Sequence, residues 1–221
     1  MAKNKVTAPE HEALGEALNK TENFFQTHGK KIIYIIVALI IVGGCTFGYK
    51  ELFVKPKIEK ASFMLHEAQQ HLDDAEPNYQ AALDGFLQVI SEYESTPSGN
   101  LAQHYAGVCY LQLGDADKAL SYLKKYEAVD NALGKTIQAQ NLGLQGDIAV
   151  NKGSYSEAVS LFKQAATLTP TSSKYLKKAA QAAKAAGDMA TAEELLNKVL
   201  IEYTKTPQEY QENEKALGTL K

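Results

Sequence analysis

The sequence predicts an all-α chain: one N-terminal transmembrane helix, then an α-solenoid of about four helix pairs closed by a C-terminal capping helix. Two observations carry this prediction. One stretch is apolar on every side, and the rest of the chain repeats a pattern of small and large residues at the spacing of a helix pair. A third observation bounds it: 221 residues with 45% hydrophobic and 22% charged side chains suit one folded domain plus an accessory segment.

The apolar stretch comes first. Residues 32–49 carry no charge, a run that spans about 27 Å as a helix and nearly crosses a hydrocarbon core of about 30 Å. Leu52, Phe53 and Val54 extend it if Lys50 and Glu51 reach the headgroups. Lys30 and Lys31 precede it, and Tyr34 and Tyr49 stand near its ends, where aromatic rings favour the interface. The expected organisation is therefore a tail over 1–31, a transmembrane helix over 32–54 and a repeat domain over 55–221. A long tail with four Glu favours an uncleaved signal-anchor over a cleaved signal. Val42, Gly43, Gly44 and Cys45 resemble a bacterial lipobox, whose cysteine would be lipidated after cleavage. Against lipidation, Cys45 lies far from the start, and Thr46 to Tyr49 is apolar where a polar tether is usual. The same glycines, with Gly48, would also let another membrane helix approach closely. Lysines flank the span on both sides, so charge leaves its orientation open.

In the tail, Thr7 and Glu10 have the spacing of a capping box. Leu14, Leu18, Thr21 and Phe25 then share one face, which predicts a short amphipathic helix ending near His28 and Gly29. A partly ordered tail is the competing reading.

The soluble part is built on repetition. Gly114, Gly153 and Gly187 are each followed at five residues by Ala119, Ala158 and Ala192, then by Leu123, Phe162 and Leu196, then by Tyr126, Ala165 and Val199. Seven residues before each glycine stands Gly107, Gly146 or Ala180. The repeat distances are 39 and 34, and Asn131 to Lys135 looks like an inserted loop. Small residues on a first helix let a second helix approach, the glycine turns the chain, and Asp115, Ser154 or Asp188 caps the next helix. Tyr79, Ala82, Phe86 and Val89 echo the second-helix pattern of a degenerate first repeat, whose first helix, about 56–74, shows no such small residues. A last helix, about 207–217, is rich in Gln, Glu and Asn and suits a solvating cap. Tyr155, Ala158, Phe162, Ala165 and Pro170, with Gly107, Tyr110, Gly114, Asp115 and Ala119, resemble the tetratricopeptide (TPR) pattern, whose period is 34 residues.

No catalytic constellation, phosphate loop or metal-ligand spacing is found, so neither an enzyme nor a cofactor is expected. All basic residues are Lys and the net charge is -3, which argues against nucleic acid. Cys109, between Gly107 and Tyr110, reads as core. Other proteins remain as partners. In TPR arrays the first helices line the concave face, and periodicity assigns to it His104, Val108, Leu111 and Gln112, then Gln140, Asp147, Val150 and Asn151, then Lys174, Lys177, Gln181 and Lys184. The last set is basic and suits a carboxylate.

Asn23, Phe24 and Phe25, then His28, Gly29, Lys30 and Lys31 directly before the span, and a degenerate repeat after it resemble the YfgM-like family, an ancillary subunit of the bacterial SecYEG translocon. The resemblance implies an inner-membrane protein with a cytoplasmic N-terminus and a periplasmic TPR domain. It implies the SecYEG translocon, periplasmic chaperones and exported clients as partners. The alternative is a TPR scaffold or lipoprotein of an envelope assembly with no part in export.

Overall fold

The computed structural model of the chain describes residues 9–73, 75–169 and 172–219. These are helical, with no strand among them, in the order α1 Pro9–Tyr49, α2 Lys55–Asp73, α3 Tyr79–Tyr93, α4 Pro97–Gln112, α5 Ala116–Lys125, α6 Ala132–Asn151, α7 Tyr155–Leu168, α8 Ser172–Ala185, α9 Met189–Lys198 and α10 Pro207–Gly218. They fall into two units, one up to Lys57 and one from Ile58.

The first unit contains α1, which carries the one stretch among the described residues long and apolar enough to cross a membrane, with a mean hydropathy of 2.3 in its most apolar window and none of that window buried. Ile33, Leu39, Ile40 and Val42 are all exposed, as a lipid-facing surface requires. The helix does not end at Gly29 as the tail pattern predicts. Among the described residues, left-handed glycines occur only at 114, 153 and 187, so Gly29 is an interior residue at an ordinary helix cost of about 1 kcal/mol. The Thr7 capping position lies outside the described residues. Pro56, a residue type that often interrupts a helix, stands second in α2. Lys50 to Val54 forms a π-turn in which the Lys55 N–H donates to the Lys50 carbonyl, a wider loop that absorbs a proline lacking its own N–H.

The second unit is a series of helix pairs, and its three glycine turns share one geometry. Gly114, Gly153 and Gly187 have φ of 85°, 74° and 80°. In each, the next residue's N–H returns to a carbonyl five residues back: Asp115 to Tyr110 at 2.8 Å, Ser154 to Ala149 at 2.8 Å and Asp188 to Ala183 at 2.9 Å. This is a Schellman closure, and a side chain at the glycine would be strained. The Asp115 and Asp188 carboxylates then accept the N–H of Lys118 and Thr191, both at 3.0 Å. Ser154 makes no side-chain cap bond, so its role is confined to its backbone carbonyl, which accepts from Ala158.

Behind each turn, small meets large. A Cβ added at Gly146 would lie 2.6 Å from Phe162 Cε1, and one at Gly107 would lie 2.7 Å from Leu123 Cδ2. Ala119, Ala158 and Ala192 are fully buried, and Leu123, Phe162 and Val199 nearly so. The missing Cβ on the first helix is thus filled by the large residue of the second. The degenerate repeat obeys the same logic. Ala61 and Ala68, seven apart on α2, are buried, and Gly85 of α3 rides on Ala68, with a Cβ there only 2.7 Å away. The expectation that this helix lacks small residues is corrected: the alanines are there, but no glycine turn stands after them to set the register.

The expected insertion at 131–135 is also displaced. The extra residues form an irregular segment over 126–129, and Asn131 caps α6 by accepting the Gly134 N–H at 2.7 Å. Asn100 of α4 holds this segment by two hydrogen bonds to the Glu127 backbone, accepting its N–H at 2.7 Å and donating to its carbonyl at 2.8 Å. α7 ends at Leu168, and Pro170 lies outside the described residues.

Candidate protein-binding groove

The first helices of three successive pairs, α4, α6 and α8, meet around an open cavity of about 270 Å³. His104 and Val108 line it from α4, Gln140, Gly143, Leu144 and Asp147 from α6, and Lys174, Tyr175 and Lys178 from α8. Gly143 makes the wall possible: a Cβ there would stand 2.6 Å from Tyr175 Cε1, so only glycine lets that ring lie against α6.

The charges in the cavity are unequal. Lys178 Nζ donates to both Asp147 carboxylate oxygens, at 2.8 and 2.7 Å, and also sits 5.5 Å from the centroid of the Phe162 ring. That pair occupies Asp147 and ties α6 to α8. Lys174 has no carboxylate partner among the described residues; its Nζ lies 5.8 Å from the centroid of its neighbour Tyr175. The cavity therefore keeps one uncompensated positive charge at its edge, against a polar floor.

His104 supplies that floor. It is 5% exposed, between the rings of Tyr105 at 5.5 Å and Tyr126 at 6.0 Å, and its Nδ1 is buried with no hydrogen-bond partner. Burial lowers its pKa to about 4, so the ring is neutral at ordinary pH. A buried polar atom without a partner is costly, so this nitrogen is a point of stored cost in the packing beneath the cavity. Lys174 and neutral His104 together suit an acidic or amide group, while Val108 and Leu144 suit an apolar one.

Five of the twelve residues assigned to the groove from periodicity line this cavity: His104, Val108, Gln140, Asp147 and Lys174. Lys177, Gln181 and Lys184 stand elsewhere, around a separate cavity of about 310 Å³ between α8 and α10. Leu111 and Val150 are half-buried and pack into the core, against Ile148 and Ala149 among others, while Gln112 and Asn151 are exposed at the ends of α4 and α6. The sequence reading missed Gly143, Leu144, Tyr175 and Lys178. A signal existed for two of them: Leu144 and Lys178 each stand four residues after an assigned one, as Val108 does after His104, which places them one turn along the same face.

Cys109 is fully buried and its thiol is pushed up to about 11 by burial, which makes it a packing residue and not a nucleophile. Among the described residues no group of His, Cys, Asp and Glu could hold a metal ion. Sequence-family comparison finds two tetratricopeptide-repeat models, over residues 61–132 and 149–212. No curated protein matches the sequence. Among solved structures, the chain is similar to a Podosopora anserina protein described as a kinesin light chain with nearly identical TPR-like repeats, at 18% identity, 76% coverage of this chain, 84% of that one and a TM-score of 0.50. A single-residue variant of that protein matches at 18% identity, the same coverages and a TM-score of 0.49. At this identity the likeness concerns the fold. The glycine turns, the small-to-large packing and the two family matches agree that the chain is a tetratricopeptide-repeat protein, a fold that serves as a protein-interaction scaffold.

Proposed function

We propose that this chain is a membrane-tethered adaptor whose cavity between α4, α6 and α8 takes an extended segment of a partner polypeptide. The observation that carries the reading is an open cavity built from three first helices, lined by the uncompensated Lys174 of α8 and the buried, neutral His104 of α4. Lysine steers and orients an acidic group, and the apolar lining supplies most of the affinity. Tethering rests on α1, whose exposed apolar surface suits lipid. In this proposal residues 1–31 are cytoplasmic, 32–54 cross the bacterial inner membrane and 55–221 lie in the periplasm. There the protein serves the SecYEG translocon, periplasmic chaperones or newly exported clients. Orientation and partners are supported by the resemblance of the juxtamembrane stretch, His28 to Lys31, to the YfgM-like family.

Crosslinking in intact membranes with subsequent affinity isolation tests this. Recovery of the translocon with periplasmic chaperones supports the adaptor. Recovery of envelope machinery alone moves the protein to a scaffold with no part in export. Protease added to spheroplasts should digest the chain beyond Lys57 and spare the tail before Lys30; the reverse pattern removes the export reading.

A further inference from the structure

The second cavity has an unusual wall. On one side stand Lys177, Ala180, Gln181 and Lys184 of α8 with Leu196 of α9; on the other stand Glu212, Asn213, Ala216 and Thr219 from α10 and its end. The polar contacts across it are few. Lys184 Nζ donates to the Thr219 carbonyl at 3.0 Å, a cation at the negative end of the α10 dipole. The Glu209 carboxyl is held below its usual range chiefly by the backbone N–H groups of Lys205 and Thr206, with a smaller pull from Lys177 across the gap.

α10 is thinly attached. Its one buried side chain is Asn213, whereas α9, which is shorter, buries Ala192, Leu195 and Leu196. Asn213 does not bond to α8. Its Nδ2 donates to Thr204 Oγ1 at 2.8 Å, and that hydroxyl donates to the Val199 carbonyl at 3.2 Å, so the buried amide secures the connecting segment. Meanwhile α10 has its own start: Thr206 and Glu209 form a full capping box with Pro207 at the first turn. Helical structure in α10 is thus locally specified, while its docking rests on exposed charges and the half-buried Ala216 and Leu217.

We propose that the Lys177–Gln181–Lys184 face of α8 is a second docking surface, occupied in cis by α10, and that its exchange partner is an acidic helical segment of another polypeptide. The partner's chemistry is that of the present occupant: a helix with a carboxylate on the cavity wall, as Glu212 has, and a C-terminal carbonyl end held by a lysine. When α10 leaves, Lys177 and Lys184 join Lys174 as free cations on α8. This surface is separate from the His104 cavity, so the two readings stand or fall independently.

The test uses the full chain in detergent micelles, with hydrogen exchange read by mass spectrometry. Amides of α10 should exchange at least about tenfold faster than those of α9, since exchange reports local opening. Adding an alanine–glutamate helical peptide should speed α10 exchange further and slow exchange at α8. In K177E/K184E the peptide should have no effect. Asn213→Ala, which frees the connecting segment, should strengthen peptide binding in proportion to the closed fraction it removes, roughly threefold or more. Protection of α10 equal to that of α9, or α10 exchange indifferent to the peptide in the unmutated chain, overturns the proposal.

Discussion

Gly146→Ala tests how tightly these repeats are packed. The new methyl group would stand 2.6 Å from Phe162 Cε1 and 2.9 Å from its neighbouring ring carbons, well inside contact distance. Phe162 is 1% exposed and surrounded by Ala149, Ala158, Ala165 and Leu196 in one core cluster, so its ring has nowhere to go. Overpacking of this kind costs about 1–3 kcal/mol. Alanine in place of a helical glycine returns about 1 kcal/mol, leaving a net loss of about 0–2 kcal/mol. Phe162→Ala alone should lose about 3–5 kcal/mol by opening a cavity. In that background the added methyl enters empty space, and Gly146→Ala should be neutral or stabilising by up to about 1 kcal/mol. The double-mutant cycle therefore carries a coupling of about 1–3 kcal/mol. Urea denaturation of the repeat unit from Ile58 onward, monitored by helical circular dichroism, measures it. If Gly146→Ala costs the same with and without the Phe162 ring, the small-to-large pairing is not what holds α6 to α7.

Three further outcomes are expected. Ala158→Leu, at a fully buried site facing the first helix, should cost about 1–3 kcal/mol, and an unchanged urea midpoint would mean that the register is wrong. His104 should titrate near pH 4 in the folded chain, against 6.5 when unfolded. Because the unfolded state binds the extra proton between those values, stability should fall as pH drops from about 6.5 to 4, by up to about 3 kcal/mol, and His104→Gln should flatten the slope; NMR titration of the ring near 6.5 would refute the burial argument. Intact-mass analysis should find Cys45 unmodified and the tail attached, and a diacylated or triacylated Cys45 at a new N-terminus would make the chain a lipoprotein.

The repeats are legible because turn and packing leave separate marks. Gly114, Gly153 and Gly187 set the register through a left-handed backbone that the sequence records as glycine, and Ala119, Ala158 and Ala192 stand at a fixed interval after them. Where the turn has no such glycine the register has no anchor, and Ala61 and Ala68 do not stand out as packing residues. Helix ends mislead in another way. Gly29 and Pro56 are usual stop signals, yet a long helix tolerates an interior glycine, and a π-turn widens to accommodate the proline. The groove is half legible. Periodicity identifies the side of a helix but not the neighbour across from it, so it cannot separate Lys174, beside α6, from Lys177 and Lys184, which face α10. The buried pair of Asn141 and Gln145 on α6, bonded at 2.8 Å, has no signal in the sequence: polar residues in a helical pattern read as solvent-facing.

The central claim is that polypeptides are held in the cavity of α4, α6 and α8. Site-specific photocrosslinking in living cells tests it most directly. A photoreactive residue at Gln140, exposed on the cavity wall, should form covalent adducts with other polypeptides, while one at Lys163, exposed on α7, should not. Charge reversal of Lys174 should diminish the Gln140 adducts. Adducts from Lys163 with none from Gln140 would place recognition on another face and contradict the claim.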